Sequence, residues 1–175
     1  IAREDPRFGA LRSPEIPRLD DLKAALRDDQ ALLSYQLWDR PPALEEARRT
    51  WQRGGSWVWV IRREGVRAFR VPASALLEEK VAMFVGLIEN RDGSEAVPAA
   101  SLFGDLLEEA LQELPPSVTE LIIVPDGPLH RLPFAALRPS PGDPPLATRF
   151  GITSVPSATM WMRWGARAGA ARGGR

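Results

Sequence analysis

The chain has 175 residues, 44% hydrophobic and 26% charged, with 23 basic and 23 acidic side chains, values that fit one ordinary soluble domain and exclude a chain that is disordered throughout. Zero formal charge gives no general attraction for nucleic acid or anionic membranes. There is no cysteine and only one histidine, His130, so disulfides, thiolate metal sites, a cysteine nucleophile and any multi-histidine site are ruled out. No apolar run approaches the roughly 18 residues of a membrane span. No metal or cofactor is expected.

Residues 1–18 contain Pro6, Pro14 and Pro17 among mixed charges and read as an extended linker. The chain opens on Ile1, and no signal-peptide pattern follows it, so the native start is expected elsewhere. A short helix follows, with Asp20 as its cap and Leu22, Ala25 and Leu26 on one face. Leu32 to Trp38 alternates Leu33, Tyr35 and Leu37 with Ser34 and Gln36, the period of a half-buried strand. Trp57 to Ile61 and Val66 to Val71 flank Glu64-Gly65 and predict a hairpin, with Gly65 at positive φ. Between these strands, Asp39 to Ser56 reads as a surface insertion with a charged helical pattern from Ala43 to Trp51.

Leu77, Val81, Phe84 and Ile88 keep the spacing of an amphipathic helix, and a second helix is expected from Ser101 to Leu114, stopped by Pro115-Pro116. Leu121 to Val124 is a continuous apolar run that suits a central parallel strand buried on both faces. Ligands in open α/β sheets bind beyond the carboxyl ends of such strands, which directs attention to Pro125 to Leu137. A Pro/Gly-rich loop covers Arg138 to Pro145. Ile152 to Val155 forms one more short strand, and Ser157 caps a helix through about Arg167, leaving residues 165–175 as a flexible tail.

Asp126 and His130 have two readings: an orienting acid and general base, or a turn with a histidine that satisfies nearby backbone groups. No nucleophile elbow accompanies them, and Ser157 is accounted for as a cap. Phosphate-binding glycine loops are absent. Asp126 with Asp143 is weak support for magnesium. Trp57, Trp59, Trp161 and Trp164 lack a basic groove and read as core or interface residues rather than base-stacking platforms. Arg163, Arg167, Arg172 and Arg175 read as a solvated tail rather than a phosphate contact.

The stretch Leu121-Ile-Ile-Val-Pro-Asp-Gly-Pro-Leu-His-Arg-Leu-Pro-Phe-Ala-Ala-Leu137 resembles the CHAT domain, a caspase-like domain found behind tetratricopeptide repeats. The similarity extends to Ala31 to Tyr35, to the Trp57 to Val71 hairpin and to Phe150 to Ala158, so that it spans about Leu19 to Trp164. It implies an α/β, caspase-like fold: an antiparallel hairpin layer, helices and the first strands of a mainly parallel sheet, with residues 19–164 as the N-terminal part of an incomplete domain. Active relatives of the caspase, separase and gingipain type use a histidine followed by glycine and a cysteine in a Ser-x-Cys context. Neither occurs here, and His130 is followed by Arg131, so no catalytic label transfers. Asp126 and His130 are instead expected to shape a loop or substrate pocket.

The implied function is that of the N-terminal half of a cysteine endopeptidase domain, inactive alone. The competing reading is a noncatalytic interaction or regulatory module on the same fold. The partners implied are upstream tetratricopeptide repeats, the C-terminal half of the domain and a protein substrate, with no nucleic acid and no membrane, in a bacterial, cytoplasmic protein. An incomplete parallel sheet should also leave an unpaired edge beside Ile152 to Val155, which favours association or loose packing.

Overall fold

A five-stranded mixed sheet with strand order β3-β2-β1-β4-β5 organises the chain. The computed structural model describes residues 16–38, 55–91 and 93–172, with side chains through 165. In chain order the elements are α1 (Leu19–Ala25), β1 (Gln30–Gln36), β2 (Ser56–Ile61), β3 (Val66–Val71), α2 (Ser74–Glu89), α3 (Ala96–Leu106), α4 (Glu108–Gln112), β4 (Glu120–Val124), β5 (Gly151–Ser154) and α5 (Ala158–Arg172). Most of the expected linker and of the insertion, with its Ala43 to Trp51 helical pattern, lies outside the described residues.

β1 pairs antiparallel with β2, and β2 with β3, whereas β4 runs parallel to both β1 and β5. β4 is therefore the central parallel strand that its unbroken apolar run predicts, and Leu121, Ile122, Ile123 and Val124 are all buried. β1 departs from the half-buried expectation. Both Leu32 and Leu33 are fully buried, because helices cover both faces where β1 neighbours β4. Alternation of polar residues only begins at Ser34, nearer the carboxyl end.

The sheet separates two apolar clusters. On the first face, Leu33, Tyr35, Val58, Val60, Leu121 and Ile123 pack against Leu77, Val81 and Phe84 of α2 and against Leu102, Phe103 and Leu106 of α3. On the second face, Leu32, Ile61, Ile122 and Val124 pack against Leu22 and Leu26 and against half-buried Trp161 and Met162 of α5. Lys80 on α2 bonds to Asp105 and Ser101 of α3, which holds those two helices in register at their rim.

Several local expectations are corrected. Asp20 does not cap α1; Arg18 precedes the helix, and its backbone N–H donates to Asp21 at 3.1 Å. Gly65 is not at positive φ, because Arg62 and Gly65 exchange backbone bonds of 2.9 and 3.3 Å across a turn that right-handed conformations can close. The helix expected from Ser101 starts at Ala96, since Pro98 falls in its first turn, where a missing N–H costs nothing. It breaks at Leu107, whose φ of −128° ends α3 and starts α4. Leu106 and Leu107 are both buried, and the break turns the apolar face so that Ala110, Leu111 and Leu114 remain against the core. α5 begins where Ser157 predicts it, with the Met160 N–H donating to the Ser157 hydroxyl at 3.2 Å, and it extends to Arg172 rather than Arg167.

Candidate functional site at the carboxyl ends of β1 and β4

The chain leaves β4 through Pro125 and enters a one-and-a-half-turn 3-10 helix, Gly127–Arg131, followed by a second short turn at Phe134–Ala136. Pro128 fixes the first turn, and Gly127 sits at φ +51°, a left-handed conformation that glycine adopts without the penalty a Cβ incurs. Threefold periodicity then sorts the side chains. Leu129 and Leu132 are buried, together with Phe134 and Leu137, while His130 and Arg131 point outward and are exposed. The apolar positions of this motif are thus core residues that nail the loop to the first face of the sheet.

Asp126 performs a specific task. Its Oδ2 accepts the Leu37 N–H at 2.8 Å, and Leu37 is the first residue beyond β1. A backbone donor that has just run off the end of its strand is thereby satisfied, and the carboxyl ends of the two parallel strands are joined. Trp38, the next residue, donates its N–H to the buried hydroxyl of Ser56 at 3.0 Å, which fixes the start of β2. His130 has no hydrogen-bond or ion-pair partner among the described residues, so the structure does not bring it together with Asp126 as a base and its orienter.

Tyr35 supports the loop from beneath. Its ring centroid lies 5.6 Å from that of Phe134, and its hydroxyl donates to the Leu106 carbonyl at 3.2 Å, an oxygen at the end of α3. Burial pushes the phenol well above its ordinary value. The alternation of the strand marks Tyr35 as inward-facing, but only the break at Leu107 supplies the acceptor, and that break is not legible from periodicity alone.

The opposite end of the sheet carries different chemistry. A cavity of about 360 Å³ is lined by Val60, Arg62, Arg67 and Leu114 near the β2–β3 turn. Its two arginines are paired with Glu64 and Glu113. β1 and β4 start beside each other, where Arg27 bonds both Asp29 and Glu120 and the buried Gln30 amide donates to Glu120 at 2.9 Å. Arg27 holds the Asp29 carboxyl below its ordinary value. These contacts fasten the strands and leave Asp126 and His130 remote in register from the cavity. No group of three His, Asp or Glu side chains is placed to hold a metal ion among the described residues.

A parallel strand flanked by helices and followed by the Gly127–Arg131 loop defines a mixed α/β architecture compatible with a caspase-like fold. Residues 97–174 match the family model described as CHAT domain, a match that runs from the first turn of α3 through α5 and includes β4, the loop after it and β5. Residues 1–96 lie outside that match. No curated protein and no solved structure matches the chain significantly. No helix among the described residues is long and apolar enough to cross a membrane.

Proposed function

We propose that this chain supplies the N-terminal half of a CHAT-like cysteine endopeptidase domain of the caspase and separase type, with the catalytic histidine and cysteine on later strands beyond these 175 residues. The observation that carries the reading is the loop after β4: a CHAT-matched strand, parallel to both neighbours, opens at its carboxyl end into Asp126 to His130, where α/β sheets bind ligands. In this reading Asp126 and His130 shape the loop or pocket, and neither is catalytic. A histidine base with no thiol to deprotonate cannot run thiolate chemistry. The partners are upstream tetratricopeptide repeats, the rest of the domain and a protein substrate, in the cytoplasm.

A noncatalytic docking module is the second reading, favoured by Asp126 being committed to the Leu37 N–H while His130 stands exposed and without a partner among the described residues. The reading frame beyond Arg175 separates the two. A His-Gly and a Ser-x-Cys there support the peptidase, and their absence supports the module. The purified 175-residue chain should leave a broad mixture of peptide reporters intact. Turnover that disappears in His130→Ala would overturn the proposal and point to a hydrolase complete within this chain.

A further inference from the structure

Among the described residues, the second face of the sheet is only partly covered. Its rows follow from the strand register, in which directly paired residues point the same way. Leu32, Ile61 and Ile122 form one row beneath α1 and α5. The next two rows run Ser34, Trp59, Ala68 and Gln36, Trp57, Arg70 toward the free edge of β3. Here Trp59 is 41% exposed, and Ala68 and Arg70 are exposed as well. The Arg70 guanidinium lies 4.6 Å from the Trp57 ring centroid and has no acidic partner among the described residues. Among the described residues β3 pairs only with β2, and its outer N–H and C=O groups have no strand partner there.

We propose that this edge and face form a docking surface for an extended peptide that adds to β3 as a sixth strand and carries a carboxylate two positions from a large apolar residue. The shape dictates the spacing. Because Ala68 is small, Trp59 forms a shelf reachable from the edge, and an apolar side chain opposite Ala68 would lie against that indole. The residue opposite Arg70 is then two positions away on the same face. The Arg70 guanidinium lies over the Trp57 ring, where a planar group with several N–H donors can rest on the indole and still present a fork to a carboxylate, a combination an ammonium cannot reproduce. An antiparallel partner thus reads acid, any residue, apolar in its own chain direction. Backbone pairing supplies affinity, and these two side chains supply selectivity.

Charge argues against a second copy of this chain as the occupant. Edge-to-edge pairing of β3 with itself would bring the two copies' Arg70 to one face of the seam and their Arg67 to the other, and only Arg67 has an acid, Glu113, beside it. An acidic strand removes that repulsion. The surface lies along β2 and β3, outside the CHAT-matched segment, and does not depend on the peptidase reading.

The test uses the full chain and a capped nine-residue peptide of threonine and valine with Glu-Thr-Leu at its centre, followed by titration calorimetry and amide chemical shifts. Shifts confined to Val66–Val71 and the facing residues of β2 are expected, with binding weakened about tenfold or more when lysine replaces the peptide glutamate. Arg70→Glu should reverse that preference, and Arg70→Gln should abolish it while leaving the far-UV spectrum unchanged. Ala68→Trp, which fills the shelf, should weaken the Leu peptide. Equal binding of the Glu and Lys peptides, shifts elsewhere, or no shifts at millimolar peptide would overturn the proposal. So would a dimer dissociated by Ala68→Trp, or binding that appears only after residues 1–15 are removed, since each assigns the surface to a different occupant.

Discussion

Asp126 illustrates how one side chain can serve a fold while sitting where a catalytic acid would be sought. Its acceptor role toward Leu37 replaces a strand partner that β1 has outrun. Asp126→Ala leaves the Leu37 N–H without a partner in a half-buried setting, and about 1–3 kcal/mol of stability should be lost, as measured by urea denaturation. Asp126→Asn keeps an acceptor oxygen and should recover part of that loss. A cost equal for both variants would mean that the charge, not the hydrogen bond, holds the loop. The sequence flags Asp126 through the Pro-Asp-Gly-Pro punctuation that follows an apolar strand. It does not reveal the acceptor's task, because Leu37 is 89 residues away and becomes its neighbour only when β1 and β4 pair. His130 is likewise legible as a loop residue, and its exposure follows from the threefold period of the turn, which the apolar spacing of Leu129 and Leu132 already encodes.

At the scale of elements, α1 shows what tertiary packing contributes. Seven residues are far too few for an isolated helix in water, so α1 exists because Leu22 and Leu26 rest on Leu32, Ile61 and Ile122. Leu26→Ala should cost about 2–5 kcal/mol and expose the amides of α1 to hydrogen exchange ahead of β1 and β4. Protection lost uniformly across the sheet would show that α1 and the strands unfold together. The elements that the sequence predicts best are those with strong periodicity or strong punctuation: α2, the β2–β3 hairpin, β4 and the start of α5 at Ser157. Those misread have competing signals. Pro98 sits in a helix because first-turn prolines are harmless, and Leu106-Leu107 reads as continuous helix because a rotation of the apolar face leaves no mark in composition. The double burial of β1 is not legible in its sequence because α1 and α5, which cover its second face, lie on either side of it, more than a hundred residues apart.

Across the whole molecule, the sheet divides functions between its ends and edges. The carboxyl ends of β1 and β4 hold the CHAT-matched loop, the amino ends are tied by Arg27, Asp29, Gln30 and Glu120, and β3 and β5 close the order at either side. Tyr35 stands near the middle of this plan as the sole tyrosine of the chain. Its phenol therefore works as a built-in optical gauge of integrity. Burial raises its ionisation above the ordinary 10.0, so the native state disfavours phenolate while the unfolded chain forms it freely. The stability this contributes is complete below that ordinary value and is lost as alkalinity rises beyond it. In a base titration the phenolate absorbance band should stay silent past the ordinary tyrosine midpoint and then rise in one step, coincident with loss of far-UV ellipticity. A smooth tyrosine-like curve with ellipticity intact would mean that solvent reaches the ring in the folded protein. With one chromophore of this kind, every photon of that signal reports on the seam where β1, α3 and the Phe134 loop meet.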